Sequence, residues 1–153
     1  MSMTLQGTRW YSIREAAQLT GLAESTLRYY ESVKVLPPAH RDESSGHRIY
    51  SELDIDALLT VSCLNATGMP LGDMREYLQA NRTGAPLPSA QIALLQGQQA
   101  RLRDQARMLK MKQKYLALKV RYWQTRETGD DEEARGIARE AAELVQKLHG
   151  IER

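Results

Sequence analysis

SIREAAQLTGLAESTLRYYESVKVLPP, residues 12–38, decides the fold. Ser12 followed three residues later by Glu15 has the form of a capping box, so a helix opens here. Ile13, Ala16, Ala17 and Leu19 mark one helical face, and Gly21 stops the helix. A second helix starts near Glu24-Ser25, with Leu27, Tyr30 and Val33 at spacings of three, and Pro37-Pro38 ends it because proline cannot continue a helix. Two short helices joined at Thr20-Gly21-Leu22 read as a helix-turn-helix.

Downstream, Ala39-His40-Arg41 and His47-Arg48-Ile49-Tyr50 flank the polar turn Asp42–Gly46, which is a hairpin signal. Such a hairpin is too small to stand alone and is expected to lean on the helices as a wing. Ser51 with Asp54 opens a third helix, whose buried side is read as Leu53, Ile55, Leu58, Leu59, Cys63 and Ala66, with Gly68 ending it. Pro70 suits a first helical position, and a short fourth helix runs through Met74 and Leu78. Residues 81–88 form a linker rich in turn residues.

From Ser89 onward the composition turns to Ala, Leu, Gln, Lys, Arg and Glu. Leu95, Leu102, Leu109, Leu116 and Trp123 recur every seven residues, with Ile92, Ala106 and Val120 in companion positions and Gln99 and Gln113 weakening the seam. A helix over 89–123 is about 50 Å long, and its leucine stripe needs a partner. The competing reading is one helix of an intrachain bundle. A last helix follows the acidic run Asp130–Glu133, with Ala134, Ile137, Ala141, Leu144, Val145 and Leu148 on one face. The expected class is therefore mainly α: a winged helix-turn-helix head over 9–80, a linker over 81–88, a dimerisation helix over 89–124, and an acidic, amphipathic C-terminal helix over 125–153.

The net charge of +2 hides a strong division. Residues 89–126 carry +8, residues 127–153 carry −4, and residues 51–88 carry −3. Blocks of opposite sign pair with each other or with an outside polyanion. The acidic tail, or the 51–88 segment of a second subunit, is expected against the basic helix. Met1 to Thr8 is polar, no apolar run is long enough to span a bilayer, and the lone Cys63 cannot form an intrachain disulfide. A reducing cytoplasm is the expected setting.

Nucleic-acid binding needs phosphate contacts for affinity and base-edge contacts for sequence. The second helix offers Ser25, Thr26, Arg28 and Tyr29 away from its Leu27/Tyr30 side. Arg28 can donate two hydrogen bonds to a guanine edge. Arg41 and Arg48 stand on neighbouring wing strands and can grip one stretch of phosphate backbone. Singly these are ordinary surface groups; together, on a winged helix-turn-helix, they point to duplex DNA. No nucleophile-base pair, phosphate loop or local pair of acids suggests an enzyme, and no cofactor or metal is expected. A pure coiled-coil interaction module would explain residues 89–123 but not the wing arginines.

These residues carry a resemblance. Tyr11-Ser12-Ile13 with Ala16, then Thr26-Leu27-Arg28-Tyr29-Tyr30-Glu31, Leu36-Pro37-Pro38, Arg41, Gly46, Arg48, Tyr50, Asp54-Ile55 and Gly68-Met69-Pro70-Leu71 resemble the MerR family over about residues 10–80. One departure is Ser32–Val35, where the family usually has a glycine and this chain has Lys34. The resemblance implies an antiparallel coiled-coil homodimer on a palindromic promoter. It implies control by bending and untwisting an over-long spacer so that RNA polymerase engages both promoter elements, at a cost of several kcal/mol that dimer-wide contacts offset. Metal-sensing members resemble one another in having cysteines around the dimer helix, and residues 82–153 have none. Two readings of the signal stay open. Met108, Met111, Tyr115, Tyr122 and Trp123 line either a small pocket for an organic ligand or simply a packed core. Cys63 is either a small buried hydrophobe or a reactive thiol, its place before Gly68 being similar to the aldehyde and electrophile sensors of the AdhR/NmlR-like group.

Overall fold

The computed structural model describes the backbone of residues 3–5 and 8–151 and the side chains of residues 9–150. It divides into two compact units, Met1–Gln98 and Gln99–Arg153. The first holds strands β1 (Met3–Leu5) and β2 (Thr8–Ser12), helices α1 (Ile13–Thr20) and α2 (Glu24–Ser32), strands β3 (His40–Arg41) and β4 (Arg48–Tyr50), and helices α3 (Glu52–Ala66) and α4 (Leu71–Arg82). Helix α5 (Pro88–Thr128) begins in this unit and continues into the second, where α6 (Asp131–Ile151) follows it.

Local chemistry sets the head's helices. Ser12 Oγ accepts the Glu15 N–H at 3.1 Å while Glu15 receives the Ser12 N–H, and Ser51 and Asp54 repeat this exchange at the start of α3. Gly21 closes α1 in the left-handed region at φ 73°, where a side chain is penalised. Helix α2 starts after Ala23, which offers no capping side chain. The strands form an antiparallel sheet in the order β1-β2-β4-β3, with Tyr11 opposite Tyr50, Ser12 opposite Ile49, and Arg41 opposite Arg48. The β3–β4 wing matches expectation. Strands β1 and β2 were not expected, since three to five residues give too short an alternation to read.

The head's core gathers Ala16, Leu27, Tyr30, Val35, Tyr50, Ile55, Leu58, Val61, Leu64, Met74 and Leu78. The expected inner face of α3 is corrected here. Ile55 and Leu58 are buried as expected, but their partners are Val61 and Leu64. Leu53 is 80% exposed, and Leu59, Cys63 and Ala66 face outward. The α3 sequence is apolar on several sides, so its periodicity alone did not select one. Leu19 on α1 is likewise exposed. Pro70 stands at the N-cap of α4, one residue before the helix it was expected to begin.

Lys34 adopts φ 64° in the turn after α2. This is the left-handed region, where a Cβ carries a steric cost that glycine escapes. Lys34→Gly is expected to stabilise the head by about 0.5–1 kcal/mol, since relief of strain exceeds the added freedom of the unfolded chain. Urea unfolding with an unchanged slope and a higher midpoint is the expected result; an equal or lower midpoint contradicts it.

In the second unit α6 packs its apolar face on α5. Leu118, Ile137, Ala141 and Leu144 are buried, and Met111, Tyr115 and Tyr122 pack around them. The oppositely charged helices therefore meet through an apolar centre, with Arg126 Nε 3.9 Å from Asp131 near the turn. Helix α5 leaves Ile92, Leu95, Leu102, Leu109, Leu116, Val120 and Trp123 exposed.

Candidate nucleic-acid interface

Helix α2 is fixed to the head by Leu27 and Tyr30, both buried. That rotation leaves Ser25, Arg28 and Tyr29 exposed and Thr26 half-buried on the opposite side. The turn before α2 is tied by Thr20, whose hydroxyl donates to Ala16 O at 2.7 Å and accepts from the Leu22 N–H at 3.3 Å. Ser62 Oγ on α3 donates to Thr20 O at 2.9 Å. At the far end, Arg75 on α4 donates from Nε and Nη2 to Val33 O at 3.0 and 2.7 Å. The turn that leads into α2 and the residue that follows it are thus each held by a side chain from a later helix.

Arg28 rests against Glu24 at 3.5 Å in an exposed contact. Such a surface pair is weak, so the guanidinium can exchange it for a base or phosphate. The wing turn is closed by Gly46 N–H donating to Asp42 O at 2.8 Å, with Gly46 at φ 74°. Asp42 accepts from the Ser44 and Ser45 hydroxyls at 3.1 and 2.8 Å. The Ser45 hydrogen bond is the main cause of its lowered pKa. Arg41 is exposed and donates to Gly46 O at 3.1 Å.

Arg48 departs from the expected pattern. Its Nε and Nη2 donate to Glu31 Oε2 at 3.1 and 2.9 Å, and the two side chains are only 22% and 18% exposed. Glu31 Oε1 also accepts the Ala39 N–H. Burial raises the Glu31 carboxyl, but the Ala39 N–H and the Arg48 guanidinium outweigh it and hold the group below its ordinary value. Glu31 therefore fastens the wing to α2 through Ala39, just before β3, and Arg48, the first residue of β4. In the sequence Glu31 stood out only as part of the Thr26–Glu31 run, with no role of its own, and Arg75 did not stand out at all. Their partners lie 17 and 42 residues away, beyond any local pattern.

Cys63 lies exposed on α3. Of the aromatic and methionine stripe on α5, Met111, Tyr115 and Tyr122 pack against α6, and Met108 is half-buried. Trp123 is 62% exposed, its ring edge-on to Tyr122 at 5.2 Å. Among the described residues no group of three His, Cys, Asp or Glu side chains is placed to hold a metal ion, and no helix is long and apolar enough to cross a membrane.

Residues 11–81 match the MerR HTH family regulatory protein model. The chain is 39% identical over 87 residues to the uncharacterised HTH-type transcriptional regulator YyaN of Bacillus subtilis (strain 168), covering 54% of this chain and 62% of that one. It is 33% identical over 91 residues to the HTH-type transcriptional regulator AdhR of the same organism, covering 60% and 64%. These two matches span slightly less than two thirds of those relatives. Its structure resembles that of HiNmlR, a MerR family regulator lacking the sensor domain, bound to promoter DNA, with TM-score 0.60 and 27% identity over 82% of this chain and 95% of that one. A putative MerR family transcriptional regulator from Listeria monocytogenes aligns with TM-score 0.63 and 27% identity, covering 85% and 98%.

Proposed function

The chain belongs to the MerR family of transcriptional regulators, and from that premise we propose that it binds a palindromic promoter as a homodimer and distorts it to control access of RNA polymerase. The observation that carries this reading is the pairing of the exposed Ser25–Arg28–Tyr29 side of α2 with a wing clamped beside it by Glu31 and Arg48. Arg28 reads a base edge. Ser25, Thr26 and Tyr29 bond phosphates, and Arg41 supplies a phosphate contact from the wing. The +8 charge of residues 89–126 adds a favourable field for a polyanion. The exposed seam of α5 pairs with its copy, and the solved relative on promoter DNA supports the duplex as target.

The test is a salt titration of duplex binding. Arg28→Ala is expected to cost about 1–3 kcal/mol and to relax preference at one base pair. Arg41→Ala is expected to weaken all sequences alike and reduce the salt slope by about one, since one phosphate contact is lost. Wild-type affinity and slope in both variants would remove these assignments.

The exposure of Cys63 favours an electrophile as the signal over purely structural packing. An outward thiol can be alkylated without unfolding the head. Cys63→Ala is expected to keep DNA binding and lose the promoter response to formaldehyde or methylglyoxal. Equal induction in parent and variant would assign Cys63 to surface packing alone.

A further inference from the structure

The head contains a cleft of about 610 Å3 that the DNA-binding reading does not use. It lies among the turn after α2, the wing, the start of α3 and the end of α4. Leu27, Val35, Leu36, Tyr50, Leu58 and Leu78 contribute apolar lining. The volume falls in the range that holds a drug-sized molecule. The lining also carries three carboxylates, Glu31, Asp54 and Asp56, against the cationic Arg82 and the imidazole of His40.

The carboxylates differ in their engagement. Glu31 is held by Arg48. Asp54 Oδ2 accepts the Ser51 N–H at 2.8 Å and lies 3.9 Å from His40 Nε2. Asp56 is exposed on the next turn of lining, and Leu53 beside it keeps a large apolar side chain 80% in water. An apolar body fits the lining and covers Leu53, while a protonated amine answers the carboxylate excess. A carboxylate-bearing molecule would meet repulsion from the same groups.

We propose that this cleft binds an apolar organic molecule carrying a cationic amine, and that the wing reads its occupancy. The coupling element is Glu31, which lines the cleft and at the same time holds Ala39 and Arg48 of the wing. An amine placed near Glu31 competes with the Arg48 guanidinium and loosens that clamp. A signal could then reach the DNA-contacting wing within the head itself. Only this regulatory half rests on the DNA-binding reading; binding to the cleft does not.

The test uses the full chain and three matched probes: 4-(biphenyl-4-yl)butylamine, the corresponding alcohol and the corresponding carboxylate. Calorimetric titration is expected to show the amine binding at least tenfold more tightly than either analogue. Leu53→Gln and Asp56→Asn, both at exposed positions, are each expected to weaken the amine several-fold while leaving the thermal transition of the free protein in place. Duplex affinity measured with and without amine is expected to differ at least threefold in the parent and to converge in the two variants. No binding by any probe, equal binding of amine and carboxylate, or unchanged amine binding in both variants would overturn the site. A cleft covered by a second copy of the chain would appear as no binding and overturn it too. Amine binding with unchanged duplex affinity would overturn the regulatory half. Duplex binding without probe, measured alongside, reports separately on the DNA-binding reading.

Discussion

Leu109→Asp combined with Leu116→Asp is expected to convert the protein to a monomer and to lower its affinity for a two-half-site promoter by about 10²–10⁴-fold, the factor lost when a second binding event ceases to be intramolecular. Both leucines are more than 60% exposed on α5. They stand on a different side of that helix from Leu118, which packs against α6, so the substitutions spare the α5–α6 core. Together with Leu95, Leu102 and Trp123 they form a stripe that one chain leaves in water. An apolar stripe of this length on a water-exposed helix face marks an interface. The nine cations in residues 89–126 oppose pairing of like helices, so in the proposed dimer the apolar seam has to outweigh that repulsion, and added salt is expected to tighten it. Sedimentation equilibrium and circular dichroism check the result together. A dimer that persists with unchanged helicity moves the interface elsewhere, and a monomer that binds the full promoter at parental affinity removes the bivalent mechanism.

The features legible in the sequence were those made by neighbouring residues. Ser12 with Glu15 and Ser51 with Asp54 announce helix starts because each box is closed within three residues. Gly21 and Gly46 mark reversals because their backbone needs the left-handed region. The heptad stripe and the face of α6 emerged from simple periodicity over long helices. The failures have equally physical causes. Helix α3 has apolar residues on several sides, and the choice of Val61 and Leu64 over Leu59 and Cys63 was made by the surrounding core rather than by the helix. The outward side of α2 was readable because Leu27 and Tyr30 fix its inner side. The clamp behind the wing was not, because Glu31 and Arg48 meet across 17 residues of chain. Sequence reading placed Arg41 and Arg48 in one role; the structure separates an exposed guanidinium from one engaged by a half-buried carboxylate.

That separation yields the second large expected effect. Arg48→Ala should destabilise the head by about 2 kcal/mol, because it leaves the half-buried Glu31 carboxylate without its charged donor. Glu31→Gln should cost less, since the amide oxygen still accepts the Ala39 N–H and Arg48 can swing into water. A double-mutant cycle on the two is expected to return a coupling clearly above zero, whereas two independent surface residues would add. The same pair sets an acid response. The Glu31 carboxyl is lowered in the folded head, so its contribution is complete above the unfolded value, about 4.5, and is lost as pH falls through the folded value. The stability difference between parent and Glu31→Gln should therefore be constant near neutrality and shrink below about pH 4.5. In duplex binding, Arg48→Ala should weaken affinity through a loosened wing while keeping the parental salt slope, in contrast to Arg41→Ala. A slope reduced by about one in Arg48→Ala would instead mean that Arg48 leaves Glu31 for a phosphate in the complex. The wing clamp would then be a feature of the free protein that DNA itself releases.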